Sequence, residues 1–185
     1  MITLIYGGSS SGKSAFAEDY VCGLDCRNKY YMATMSASDE ESLERIKRHR
    51  NNRDGKGFET LEYPRDIGGA VSEIAVGSIK QAGENVLLLE CMSNLVANEM
   101  FKDGQIIPSD SCISKILDDL KKLNKFIGNI VIVTNNVFED SALYDDMTRD
   151  YLRALGKINQ RITTVADEVY EVVVGIPIQL KVKKE

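Results

Sequence analysis

Histidine occurs once in the sequence, at His49, and thiols are few: Cys22, Cys26, Cys91 and Cys112 lie scattered along 185 residues. Cys22 and Cys26 could sit one turn apart on a first helix, yet a tetrahedral zinc site needs more ligands than these side chains supply. The thiols read instead as reduced side chains in or near a core. The N-terminus runs straight into an apolar strand with no basic region or cleavage site, which points to a cytoplasmic protein. No apolar stretch approaches the ~20 residues that span a bilayer, so no membrane partner is expected. Positive charge is also short. Lys and Arg number 23 against 28 Asp and Glu, giving a net charge of −5 and no electrostatic footprint for nucleic acid. The lysines at 121–122 and 181–184 look like solvated helix and tail charges. Internal repeats and low-complexity linkers are missing too. At 43% hydrophobic and 28% charged residues, the chain suits one compact domain over residues 1–185, and with that charge balance a small-molecule partner.

What is present is concentrated at the start. Gly7, Gly8, Ser9, Ser10, Ser11, Gly12, Lys13 and Ser14 spell a complete G-x-x-x-x-G-K-S phosphate-binding loop (Walker A) after the apolar run at 2–6. Its glycines let the backbone aim successive N–H groups inward at a helix N-terminus, which makes an anion nest. Lys13 supplies charge for the β- and γ-phosphates, and the Ser14 hydroxyl is placed to ligand Mg²⁺. The bland alternative is a Gly/Ser-rich strand-to-helix turn; the strand before and the amphipathic helix after (Ala15, Phe16, Ala17, Tyr20, Val21) favour the nucleotide site.

Strands and helices then alternate. Strands are expected at 29–33, 58–63, 86–90 and 130–134, with a terminal pair at 169–174 and 178–182. Helices are expected at 39–52 (capped by Ser38 and Asp39), from an Asp66 cap through 81 with Gly83 as the stop, and at 93–101, 109–126 and 144–165. This alternation predicts an α/β fold: a mostly parallel sheet with helices on both faces. Gly175 and Pro177 join the last two strands over so few residues that this pair must be antiparallel.

Two further side chains carry chemistry. Glu90 ends the run Leu87-Leu88-Leu89, where P-loop enzymes hold the acid that orients Mg²⁺ or its water; alternatively it caps the next helix. His49 sits among Arg45, Lys47, Arg48, Arg50 and Arg53. That cluster reads either as a solvated helix end or as a phosphate site with an imidazole nucleophile toward phosphorus. The flanking cations favour the neutral imidazole that such an attack needs.

Together with Tyr31-Met32-Ala33-Thr34, the spacing from Arg45-Ile46 to His49 and Arg53, and Phe58-Glu59-Thr60-Leu61-Glu62, the loop resembles a known family. Further matches are Leu89-Glu90-Cys91-Met92-Ser93 with Asn98, Val133-Thr134-Asn135, Gly156 with Asn159-Gln160, Ala166-Asp167-Glu168-Val169, and Val173, Gly175 and Pro177. The ordered set is similar to the bifunctional adenosylcobinamide kinases / adenosylcobinamide-phosphate guanylyltransferases of cobalamin biosynthesis. The resemblance implies a P-loop NTPase-type, recombinase-like fold, a homotrimer, and a corrinoid substrate. It implies phosphorylation of adenosylcobinamide with GTP or ATP and Mg²⁺, then transfer of GMP from GTP to adenosylcobinamide phosphate through a guanylyl-histidine, giving adenosylcobinamide-GDP. By motif position that histidine is His49, with Lys13 and Glu90 as the other catalytic residues. The nucleotide contacts it implies are the loop from Gly7 to Ser14, Ala33, Thr34, Met35, Arg50, Asn51, Asn52, Arg53, Glu62 and Glu90, with Ser14 and Glu90 toward the metal.

Departures fall in the later half. Where the family reads Val-Thr-Asn-Glu-Val-Gly, this chain has Val133-Thr134-Asn135-Asn136-Val137-Phe138, followed by Glu139-Asp140-Ser141-Ala142-Leu143-Tyr144. The missing carboxylate and glycine leave the transferase half better supported than the kinase half, with Glu139 or Asp140 as stand-ins for the lost acid. The alternatives are a guanylyltransferase with weak or lost kinase activity, or a P-loop kinase of another small alcohol.

Overall fold

The computed structural model describes residues 1–36, 40, 43, 44, 47, 51, 53–77, 84–137 and 144–182. A seven-stranded sheet in the order β3-β2-β4-β7-β1-β8-β9 organises it. The central strands are β1 (Ile2–Gly7), β4 (Asn85–Glu90) and β7 (Ile130–Asn135), the most continuously apolar runs in the chain. Burial on both faces demands such sequences. β2 (Asn28–Ala33), β3 (Phe58–Glu62) and β8 (Glu168–Val173) extend the parallel part outward. β9 (Ile176–Val182) pairs antiparallel with β8, as the short turn between them requires.

Each central strand feeds two cores by simple alternation. Val86 and Leu88 of β4, Val131 and Val133 of β7 and Ile5 of β1 pack with Ala17 and Val21 of α1 (Lys13–Gly23). Leu87, Leu89, Ile130, Ile132 and Leu4 face the opposite side. There they meet α2 (Ala70–Gly77), α3 (Met92–Met100), α4 (Ser109–Ile127) and α5 (Asp146–Val165). The expectation of helices on both faces therefore holds. Caps behave as side-chain chemistry dictates at α5, where Asp145 accepts from the Thr148 N–H at 2.7 Å, and α4 stops at Gly128 with φ 87°.

Asp66 departs from expectation. It takes a left-handed conformation (φ 53°) and makes no side-chain cap; a 3₁₀ turn, Ile67–Gly69, precedes α2. Its carboxylate goes instead to Lys115 Nζ at 2.9 Å, and its N–H donates to the buried Glu99 at 2.8 Å. A salt link to a distant helix outweighs the local capping preference. The expected helix end at 81 and its Gly83 stop lie outside the described residues, as do the Ser38 and Asp39 caps. The described residues of the 39–52 segment, Glu40, Leu43, Glu44, Lys47 and Asn51, are helical. Phe101, expected at the end of a helix, opens instead a small hairpin of β5 (Phe101–Lys102) and β6 (Gln105–Ile106). Asp103 and Gly104 at φ 52° and 77° supply its turn.

The strand order fixes where function can sit. The chain leaves β1 for β2 on one side of the sheet and later crosses β1 to reach β8 on the other, so a crevice opens at the C-terminal tip of β1.

Candidate active site

The phosphate-binding loop occupies that crevice. Gly7 ends β1 so close to β8 that a Cβ there would fall 2.7 Å from both the Val172 carbonyl and Ser11 Oγ. Gly12 opens α1 at φ 90°, a conformation that excludes most side chains. The turn between β8 and β9 lies against the loop, with the Gly175 N–H donating to the Ser11 carbonyl at 2.8 Å. Lys13 is buried, and its Nζ donates to the Gly8 carbonyl at 2.9 Å. Burial pushes its ammonium below the ordinary lysine range, while Cys91 and Glu90 pull the other way.

Glu90 reaches the same point from β4. Its Oε1 accepts a hydrogen bond from Ser14 Oγ. The helix-cap alternative for Glu90 gives way, because α3 has Cys91 at its N-cap and no side-chain cap bond. Strand register lines up Glu62, Ala33 and Glu90 across the tips of β3, β2 and β4, so residues far apart in sequence share one edge. Glu62 is exposed there, whereas Ala33 and Met35 are half-buried. Thr34 is fully buried and works as a clamp. Its hydroxyl accepts from the Cys91 N–H at 2.7 Å and donates to the Cys91 carbonyl at 2.8 Å. Asn98 Nδ2 in turn donates to the carbonyls of Thr34 and Pro64 at 2.8 and 3.0 Å. Next to this clamp Asn135, at the tip of β7, donates to Ser93 Oγ at 2.7 Å, and the Asn136 N–H donates to the Gly7 carbonyl at 2.8 Å.

Arg53 is a second buried cation. Only 6% exposed, its guanidinium carbon stands 3.4 Å from the centroid of the Tyr31 ring, a cation–π stack. Its Nη1 is buried without a hydrogen-bond partner among the described residues. A buried charged donor left unsatisfied is costly, so this position fits an incoming anion. Two clefts flank the segment that follows Arg53. One of about 480 Å³ is lined by residues 10–15 with Glu18 and Lys56. The other, about 430 Å³, is lined by Arg53, Asp54, Gly55, Gly57, Phe58 and Thr60.

Residues 3–180 match the cobinamide kinase / cobinamide phosphate guanyltransferase family. The chain belongs to that family. It is 28% identical to the bifunctional adenosylcobalamin biosynthesis protein CobU of Salmonella typhimurium over 98% of this chain and 100% of that protein. With the bifunctional adenosylcobalamin biosynthesis protein CobP of Pseudomonas aeruginosa it shares 30% identity over 98% of each. In fold it is similar to the flagellar accessory protein FlaH of Methanocaldococcus jannaschii, with a TM-score of 0.50 over 98% of this chain and 78% of that one at 15% identity. A solved ATPase domain gives a TM-score of 0.56 over 92% of this chain and 68% of its own length at 16% identity. The mostly parallel sheet is thus of P-loop NTPase type, and family membership makes the chain a transferase of cobalamin biosynthesis.

Against that family the expected site residues divide. The loop from Gly7 to Ser14, Lys13 with Glu90, and the tips bearing Ala33 and Glu62 converge on one edge of the sheet. Asn51 is helical and exposed, and Arg53 is buried beside Tyr31. His49, Arg45, Arg48, Arg50 and Asn52 lie outside the described residues, as do the replaced loop residues from Phe138 to Leu143. Lys56 is a cleft residue that sequence reasoning missed. Its only local signal is the pair of flanking glycines, Gly55 and Gly57, both at positive φ.

Proposed function

We propose that both reactions of the family run at this crevice, with His49 as a covalent guanylyl carrier. The observation that carries the proposal is the Ser14–Glu90 hydrogen bond beside the buried Lys13, which gathers a hydroxyl, a carboxylate and an ammonium at the mouth of an anion nest. Ser14 and Glu90 would hold Mg²⁺; when bound, the ion neutralises phosphate oxygens and orients the nucleotide. That one acid and one hydroxyl converge suits a metal that takes its remaining ligands from phosphates and water.

In the transferase step a neutral imidazole nitrogen of His49 attacks the α-phosphorus of GTP. A P–N bond forms, the P–O bond to pyrophosphate breaks, and cations including Lys13 and Arg53 stabilise the departing charge. A phosphate oxygen of adenosylcobinamide phosphate then attacks the same phosphorus, the P–N bond breaks, and adenosylcobinamide-GDP leaves with the imidazole restored. In the kinase step the same loop would position the γ-phosphate of GTP or ATP for attack by the substrate hydroxyl. We read the chain as one catalytic domain over residues 1–185, located in the cytoplasm, a compartment that suits its four free cysteines. We also read it as a homotrimer that binds no nucleic acid. The exposed apolar row Ile176, Ile178, Leu180 and Val182 on β9 supports the oligomer.

Intact-protein mass spectrometry tests the covalent step. After GTP and Mg²⁺ the protein should gain one GMP, acid-labile and base-stable as a phosphoramidate is. His49→Ala should lose both the adduct and guanylyl transfer while retaining nucleotide binding. Guanylyl transfer by the His49→Ala protein would overturn the mechanism.

A further inference from the structure

Lys56 stands apart from every motif of the chain, yet it lines the same cleft as Ser10, Ser11, Gly12, Lys13 and Ser14. The route that brings it there is a tight turn: the Lys56 N–H donates to the Arg53 carbonyl at 3.0 Å, between Gly55 and Gly57 at φ 78° and 76°. Side chains at either glycine would be strained, so the turn is built around the lysine between them. Its Nζ donates to Glu18 Oε2 at 2.9 Å and to Asp19 Oδ1 at 3.2 Å, both on α1 directly behind the phosphate-binding loop.

The charges make this arrangement informative. The Glu18 side chain is 4% exposed and borders a cleft whose backbone is shaped for polyphosphate. A buried carboxylate in that position opposes an anionic ligand unless a cation neutralises it. Lys56, 30% exposed at its side chain, supplies that cation. An ammonium has three donors, and Glu18 and Asp19 take two of them, leaving the third without a protein partner among the described residues.

Resting on the assignment of this crevice as the nucleotide site, we propose that Lys56 is a second phosphate-binding cation, presented by the Gly55–Gly57 turn and poised on Glu18 to contact the nucleotide's polyphosphate opposite Lys13. Lys13 holds the phosphates from within the loop, and Lys56 closes on them from the adjoining segment.

Titration calorimetry with GTP and Mg²⁺ on the full-length protein tests this through Lys56→Met, Lys56→Arg, Glu18→Gln and the double variant Glu18→Gln/Lys56→Met. Lys56→Met should weaken GTP about tenfold, the loss of one charge-assisted contact, and Lys56→Arg should restore most of it. The deciding comparison is Glu18→Gln against the double variant, since neither leaves a buried carboxylate without its counter-ion. The double variant should bind GTP about tenfold more weakly than Glu18→Gln. Equal affinities would overturn the proposal and reduce Lys56 to a counter-ion of Glu18. Lys13→Ala separates the two levels: undiminished binding by that variant refutes the nucleotide site itself, whereas lost binding alongside equal affinities in the deciding pair refutes Lys56 alone.

Discussion

At the residue scale the crevice depends on small groups held by neighbours in space. Ser14 and Glu90 meet because α1 starts at the tip of β1 and β4 ends one strand beyond the intervening β7. Replacing Glu90 with Gln keeps size and hydrogen bonding but removes the charge that complements a metal. Turnover should fall on the order of a hundredfold while GTP affinity changes little, because the charge matters most where negative charge is being redistributed. Steady-state kinetics beside calorimetry separate the two, and a variant with wild-type turnover would demote Glu90 to a partner of Ser14. The motif residues were legible in the sequence because strand, glycines, lysine and serine are contiguous. Thr34 was legible only as a member of a motif. Its work as a clamp on Cys91 depends on β2 and β4 lying side by side, which no local pattern in either strand encodes. Lys56 was hidden for the same reason, since its partners Glu18 and Asp19 are distant in sequence.

At the element scale, periodicity carried most of the fold. The Leu87-Leu88-Leu89 run reads as a buried parallel strand and is one, the strand expected at 130–134 lies beside it, and the short link through Gly175 forced the antiparallel pair. One failure came where a polar side chain chose a distant partner, another where the Asp103–Gly104 turn made a hairpin of an expected helix end. Asp66 prefers Lys115 to a helix cap, and this removes its charge from the local code. The Lys115 ammonium lowers the Asp66 carboxyl below the usual carboxylate range. A carboxyl depressed in the folded state contributes stability above its ordinary pKa and loses it as pH falls through the lowered one. This link therefore holds at neutral pH and fails only in acid. The turn between β8 and β9 shows a different tension. Val174 and Gly175 are its two central residues, at φ 50° and 81°. Gly175 suits such a turn, but a β-branched valine there is strained by about 1–3 kcal/mol. Val174 is 87% exposed, so its side chain gives little back through burial. Val174→Asn should therefore stabilise the fold by about 1 kcal/mol, seen as a rise of about 2–4 °C in Tm by calorimetry. A lower Tm would mean that the valine makes a stabilising contact, in a partner copy or elsewhere.

At the scale of the whole molecule, the sheet is finished unevenly. Its other strands carry buried residues, whereas β9 exposes Ile176, Ile178, Leu180 and Val182 at 65, 45, 59 and 54%, and among the described residues pairs only with β8. An apolar edge strand left open invites pairing with another chain, and natural proteins blunt or cover such edges. Lys181 does not blunt this one, because its Nζ turns inward to the Thr163 carbonyl at 2.8 Å. Our reading of the chain as a homotrimer gives the row a cover. It also ties assembly to the crevice, since the turn that begins β9 is hydrogen-bonded to Ser11 in the phosphate-binding loop. Placing charge on the row through Ile178→Lys and Leu180→Lys together should dissociate the oligomer without unfolding the subunit, because neither residue belongs to the two buried cores. Light scattering coupled to size-exclusion chromatography should then report a trimer for the parent and a monomer for the double variant. The monomer should bind GTP more weakly, because the turn that braces Ser11 loses its outer support. A trimer that survives both lysines would place the subunit contacts on another face and leave the apolar row without an occupant.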